Sequence, residues 1–256
     1  TIGGKWYEVD GSGKTYSVSN ITGNTVKVST SLSLSNNSPA IGEEVTATFS
    51  VTNYSSGPIT LSAIGVANWY NYPSFNPQDF GFQSYTLEAS ETKSFEFKKT
   101  LTTVGSYKAW VSFLYGGKWY NSLPDSGKSA EISYSTHVPN ITVSAPVSLD
   151  PAYPIAGQAV TATVNLVNNE TKPIKLDAAG IANWYNYPNF SPVDFGFLSN
   201  QTLAATGDLS GNDILSLSFT KTLSVVSNQY RAWASYTIGG KWYEVDGSGK
   251  TYSVTK

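Results

Sequence analysis

The sequence predicts an all-β protein made of two antiparallel β-sandwich domains in tandem, without disulfides. Three observations lead there: apolar and polar residues alternate over short runs, part of the chain is a second copy of another part, and there is no Cys among the 256 residues. Alternation is clearest at Val45, Ala47, Phe49 and Val51, which interleave with Thr46, Thr48 and Ser50. A strand sends successive side chains to opposite faces, so this period of two marks a strand with one buried face. Val160, Ala162, Val164 and Leu166 repeat the pattern. Ile59, Leu61 and Ala63 open another strand, and Phe95, Phe97 and Leu101 mark a further one. Tyr107, Ala109, Val111 and Phe113 share one face of a strand whose other face holds Lys108, Trp110 and Ser112. Gly116-Gly117 and Gly239-Gly240 read as two-residue hairpin turns, because both central positions tolerate positive φ. No amphipathic stretch of helical period competes, so no helix longer than two turns is expected.

The duplication sets the domains. GVANWYNYPSFNPQDFGF, from Gly65, returns as GIANWYNYPNFSPVDFGF from Gly180, 115 residues on, with 14 of 18 positions identical. GEEVTATFSVTN from Gly42 matches GQAVTATVNLVN from Gly157 at the same offset. YKAWVSF from Tyr107 matches YRAWASY from Tyr230 at an offset of 123, and the extra residues fall in ATGDLSGND, read as a lengthened surface turn. TIGGKWYEVDGSGKTYSV, residues 1–18, recurs without a change at 237–254, an offset of 236. The expected organisation is therefore a closing hairpin at 1–19 belonging to a preceding domain, a first sandwich at 26–136 and a second at 139–256. A window cut from a tandem array with a two-domain repeat has this form.

Composition narrows the function. Lys plus Arg number 16 and Asp plus Glu 18, a net charge of −2, which leaves no electrostatic footprint for nucleic acid or an anionic membrane. Charged residues are 13% of the chain, about half the usual share, and Ser, Thr and Asn supply the polarity. No window approaches the ~18 apolar residues of a membrane-crossing helix.

Val104-Gly105-Ser106-Tyr107-Lys108-Ala109-Trp110 resembles the tyrosine corner of immunoglobulin and fibronectin type III folds, in which a Tyr two residues before a core Cys anchors its hydroxyl to nearby backbone. Ala109 stands at the Cys position here, and Ala232 does so after Tyr230, so small apolar side chains replace the bridge. Pro39-Ala40-Ile41-Gly42-Glu43-Glu44-Val45-Thr46, matched by Pro154-Ile155-Ala156-Gly157-Gln158-Ala159-Val160, resembles the opening of prokaryotic cell-surface immunoglobulin-like repeats, including the CARDB-like group. The resemblance implies immunoglobulin-like domains, an extracellular location at the cell surface, and a stalk or adhesin that presents a binding tip. Ser135-Thr136-His137-Val138-Pro139-Asn140 reads as a short linker, which favours a rod over a flexible string. The partners this implies are neighbouring repeat domains of the same chain, with a glycan or a host or cell-surface protein as the candidate ligand.

Catalysis finds little support. The one His, His137, falls in the linker and reads as a solvated residue. Asp246-Gly247-Ser248-Gly249, like Asp10-Gly11-Ser12-Gly13, has one carboxylate beside two glycines, which suits an Asp-Gly hairpin turn better than a calcium loop with its six to eight oxygens. Asp79 and Asp194 are the shared acids within the domain bodies, too few for a hydrolase pair, and read as turn caps or as help for an ion. No enzyme activity, metal or cofactor is expected. The aromatic clusters are the candidate binding residues: Trp69, Tyr70 and Tyr72 recur as Trp184, Tyr185 and Tyr187, and Trp119 recurs as Trp242. Flat rings with polar tips suit sugar rings or partner surfaces. Packing at the end of a sandwich or between domains is the structural alternative. The leading expectation is a non-catalytic stalk or filament segment, with a carbohydrate-binding module as the alternative. Sequons at Asn20, Asn36, Asn53, Asn140, Asn169, Asn189 and Asn200 are no denser than this composition explains.

Overall fold

The computed structural model describes residues 26–28, 32–121, 131–207 and 213–256. The hairpin expected at residues 1–19, the Asn20 sequon and the middle of ATGDLSGND lie outside these. Among the described residues there is no helix, and strand follows strand. In chain order these are β1 (Val26–Val28), β2 (Ser33–Leu34), β3 (Glu44–Asn53), β4 (Ile59–Tyr70), β5 (Gly81–Leu87), β6 (Thr92–Thr100), β7 (Gly105–Tyr115), β8 (Lys118–Asn121) and β9 (Glu131–Thr136). Then come β10 (Ile141–Val143), β11 (Ser148–Asp150), β12 (Ala159–Asn168), β13 (Ile174–Trp184), β14 (Gly196–Leu203), β15 (Ile214–Thr222), β16 (Ser227–Ile238), β17 (Lys241–Glu244) and β18 (Lys250–Val254).

The chain divides into two compact units. The first takes the described residues up to Asn37, with Thr46–Lys99 and Ser106–Tyr134; the second takes Ser38–Val45, Thr100–Gly105 and Ser135–Lys256. The second nine strands repeat the pairing of the first nine. One sheet centres on β3, which pairs with β1, β2 and β6; its counterpart centres on β12, which pairs with β10, β11 and β15. The other sheet runs β5-β4-β7-β8 with β9 also on β7, and its counterpart runs β14-β13-β16-β17 with β18 also on β16. Every registered pair is antiparallel. Each set is thus an immunoglobulin-like sandwich of three strand positions facing four.

The alternation explains the layers. On β12, Val160, Ala162, Val164 and Leu166 are buried and meet Ile174, Leu176, Ile181, Tyr230, Ala232 and Ala234 from the opposite sheet in one core. Burying a Val or Leu of this kind contributes about 1.5–3 kcal/mol. On β3, Val45, Ala47, Phe49 and Val51 are buried in the same rhythm. The intervening residues form hydroxyl ladders on the outside: Ser33 with Thr48 (2.5 Å), Ser50 with Ser94 (3.0 Å), Thr52 with Thr92 (2.8 Å) and Thr161 with Thr220 (2.8 Å). These cross-strand pairs serve where a more charged protein would place ions.

Turn chemistry is equally local. Glu43 N–H donates to the Ala40 carbonyl (3.1 Å) and Gln158 N–H to that of Ile155 (3.1 Å), with Gly42 at φ 85° and Gly157 at φ 87° in the third position. A four-residue turn with positive φ at its third residue is type II, which selects glycine there. The two double-glycine hairpins also form, with φ of 56° and 76° at Gly116-Gly117 and 61° and 74° at Gly239-Gly240.

Two expectations need correction. Asp246-Gly247 does not turn a hairpin between paired strands. β17 and β18 both lie along β16, and the residues between them form a kink in one long edge position. Ser248 is fully buried at that kink: its Oγ accepts the Ala234 N–H (3.0 Å) and donates to the Val245 carbonyl (2.6 Å). The stretch expected as a solvated linker is bonded within the second unit. Thr136 Oγ1 donates to the Thr103 carbonyl (2.7 Å), His137 N–H donates to the Pro39 carbonyl (3.1 Å), and His137 Nε2 meets Glu170 Oε1 at 3.1 Å.

Candidate functional site

The outward face of each larger sheet carries aromatic rings, and strand register puts them there. Asn68 and Trp69 are neighbours on β4, so they point to opposite faces. Asn68 is buried and Trp69 faces out. Trp69 pairs with Lys108 and Ala67 with Trp110 on β7, which brings the two Trp rings side by side at 5.1 Å, edge to face. The following loop returns Tyr72 to 6.0 Å and Phe75 to 4.9 Å from Trp69. Lys108 Nζ lies 4.5 Å from the Tyr72 ring centre and 3.0 Å from Glu131. The second unit rebuilds this group. Trp184 stands 5.2 Å from Trp233, 6.2 Å from Tyr187 and 5.1 Å from Phe190. Arg231 lies over both Tyr187 (4.7 Å) and Trp233 (5.0 Å) and is held by Glu244.

The loop that presents these rings is fixed by buried polar groups. Asp79 Oδ1 accepts the Asn68 N–H (2.8 Å), and Asp194 Oδ1 accepts the Asn183 N–H (2.8 Å). Gln78 N–H donates back to the Asn68 carbonyl and Val193 N–H to that of Asn183, both at 2.7 Å. The Tyr134 hydroxyl donates to Asn68 Oδ1 (2.9 Å) and the Tyr252 hydroxyl to Asn183 Oδ1 (3.0 Å). Burial pushes both phenols far above their usual range. The Tyr72–Pro73 and Tyr187–Pro188 peptide bonds are both cis. The shared acids are therefore turn caps, and no group of three or more His, Cys, Asp or Glu positioned for a metal occurs among the described residues.

A second aromatic station lies further along the same face. Gly65 pairs with Phe82 and Gly180 with Phe197. A Cβ on Gly180 would sit 2.1 Å from the Gly196 carbonyl oxygen and 2.4 Å from Phe197 Cδ1, so the ring lies flat on bare backbone. Trp119 stands edge to face against Phe82 at 5.1 Å, and Trp242 against Phe197 at 4.9 Å. Both Trp side chains are about half exposed, 48% and 55%. Level with Gly65 in the first unit, Ser112 Oγ donates to Asn121 Oδ1 (2.6 Å), which also accepts Trp110 Nε1 (3.1 Å).

Six of the eight candidate residues thus lie on one type of surface: Trp69, Tyr72 and Trp119 in the first unit, and Trp184, Tyr187 and Trp242 in the second. Tyr70 and Tyr185 do not join them. Tyr70 packs on Tyr107 (5.3 Å) and Tyr185 on Tyr230 (6.2 Å), at the core side. There Tyr230, two residues ahead of Ala232, donates its hydroxyl to the Val225 carbonyl (2.9 Å), which is the tyrosine corner, whereas the Tyr107 hydroxyl in the first unit donates to Gln78 Oε1 (3.4 Å). Trp110, Trp233, Phe75, Phe190, Phe82, Phe197, Lys108 and Arg231 complete the surface. The alternation that set Lys108 and Trp110 on one strand face was the sequence signal for two of them.

No family model matches this chain, and no curated protein does. Among solved structures it is similar to a red sea bream transglutaminase, with 12% identity and a TM-score of 0.32, over 93% of this chain and 32% of that one. It is also similar to a β-glucosidase from Kluyveromyces marxianus, with 13% identity and a TM-score of 0.28, over 44% of this chain and 15% of that one. The chain therefore spans about a third or less of either protein.

Proposed function

We propose that this chain is a repeating, non-catalytic segment of an extracellular surface protein, a stalk or fibre-forming module of adhesin type. The observation that carries this reading is the unaltered recurrence of residues 1–18 at 237–254. Such identity over a fixed spacing belongs to arrays whose units each contribute the same structural part. The paired strand orders support it, as does the retention of buried anchors: Asn53 and Asn68 in one copy, Asn168 and Asn183 in the other. A surface of hydroxyl ladders with few charges and no Cys suits a module that folds unaided and presents little to attract ions. The test has two arms. The gene around this segment should encode further copies at the 236-residue spacing, and a lone copy there would overturn the array. Antibodies against the recombinant chain should label intact source cells, and surface proteolysis should remove the label; staining seen only after permeabilisation would overturn the location.

A further inference from the structure

We propose that the outward aromatic face of each larger sheet is a binding face for a neutral polysaccharide. The two sheets of each sandwich treat their outer surfaces differently. The sheet around β3 or β12 is finished with hydroxyl ladders. The sheet around β4 or β13 carries two aromatic stations, with one hydroxyl pair, Thr60 with Thr86 (2.9 Å), at the far end of β4. Folding alone did not need this second treatment, because the first serves equally well one layer away.

The exposure falls on the ring groups best placed to meet a ligand. Phe75 is 72% and Tyr72 49% exposed at one station, and Trp119 is 48% exposed at the other. In the second unit Phe190 is 78% and Trp242 55% exposed. Trp69 and Gly65 are four positions apart on β4, so the stations are separated by roughly 13 Å along the strand. A polymer chain crossing the sheet would meet both. Stacking on flat rings fits the C–H face of a sugar, and polar groups beside the rings fit its hydroxyls. Exposed Asn121, its Oδ1 held by Trp110 Nε1 and Ser112 Oγ, lies there in the first unit, and Glu244 and Arg231 in the second.

Charge selects the class of ligand. The cations on these outward faces are already paired, Lys108 with Glu131, Arg231 with Glu244 and Lys175 with Glu44. An acidic glycan or a nucleic acid needs cations free to meet its anions, and these faces spend theirs on the chain's own carboxylates. A protein partner needs a continuous buried area of about 1,000 Å² or more, whereas the well-exposed rings on the first unit's face are few, Tyr72, Phe75 and Trp119. Repetition compensates for small stations, because two faces in one chain raise the effective affinity for a repeating polymer.

The test is affinity electrophoresis of the whole chain through native gels containing hydroxyethylcellulose, glucomannan or laminarin, with alginate and single-stranded DNA as anionic controls. At least one neutral polymer should retard the chain, and the anionic polymers should not. Trp119→Ala with Trp242→Ala should weaken retardation at least tenfold while the melting temperature stays within a few degrees. Phe75→Ala with Phe190→Ala, at a different station, should weaken it as well. Passage of the native chain unretarded through all three neutral gels would overturn the proposal. So would retardation by the anionic polymers, or full retention of binding in the variant lacking all four rings. None of these outcomes bears on the structural role proposed above.

Discussion

Single atoms decide much of this fold. Gly180 has no room for a Cβ, since one would meet both the Gly196 carbonyl and Phe197. Gly157 has open space around it, and its requirement is only a φ of 87°. Gly57 has neither constraint. Denaturant unfolding should separate them: Gly180→Ala losing about 3 kcal/mol by forced overpacking, Gly157→Ala about 1 kcal/mol from the left-handed backbone, and Gly57→Ala less than about 0.5 kcal/mol. Equal losses at Gly180 and Gly157 would contradict the packing explanation. Buried Asn168 makes the complementary point. Its Nδ2 donates to the Lys172 (2.9 Å) and Ala204 (2.7 Å) carbonyls and its Oδ1 accepts the Glu170 N–H (2.8 Å). Asn168→Ala would leave those groups with poorer partners and should cost about 3 kcal/mol. Asn53, bonded in the same way to the Gly57 and Glu88 carbonyls, is for that reason no acceptor for a glycan despite its sequon.

At the scale of elements, the edge formed by β17 and β18 depends on one serine. Ser248→Ala would strip the partner from the buried Ala234 N–H, and a loss of about 2 kcal/mol is expected in thermal or denaturant unfolding. Ser248→Thr, which keeps the hydroxyl, should retain part of that stability if the added methyl is accommodated. The same elements show what the sequence made legible. Strands β3, β4, β6, β7 and β12 were readable, because alternation of core and surface is a local property, and β13 and β16 followed from the duplication. The double-glycine hairpins were readable too, since the turn demands that residue. The course of the chain after Glu244 was not. Asp-Gly-Ser-Gly has the composition of a reversal, and only its neighbours reveal that Ser248 reaches inward to substitute for a missing ladder bond. The aromatic face was legible in part for the same reason. Counting rings along NWYNYP groups Tyr70 with Trp69, while the pleat sends them to opposite sides. The positions of Phe82 and Phe197 depend on a glycine in the adjacent strand, a relation across chain positions that periodicity does not express.

At the scale of the whole molecule, the core is rich in buried phenols, and these set its response to alkali. Burial, with Tyr243 and Asp246 nearby, pushes Tyr236 up to about 12. Burial likewise raises Tyr134, Tyr230 and Tyr252. A group whose folded pKa lies above its unfolded value near 10 holds its proton more tightly when folded. Its contribution is complete below pH 10 and is lost as pH rises through the folded value. The melting temperature should therefore be flat from about pH 7 to 9 and fall steeply beyond about 10. Tyr236→Phe should make that fall shallower, and an unchanged slope would show that Tyr236 does not contribute to it.

The kink between β17 and β18 has a consequence for neighbours of like sequence. Where one chain holds near copies of the same sandwich, the gravest hazard is that a strand joins the wrong copy, or that two exposed edges knit together into a growing aggregate. A straight outer strand would offer an unbroken row of amide and carbonyl groups to any passing twin. Ser248 breaks that row, turning inward the chain that would otherwise lie flat along the rim. The serine that completes the ladder of its own sandwich thereby also guards it against its duplicates.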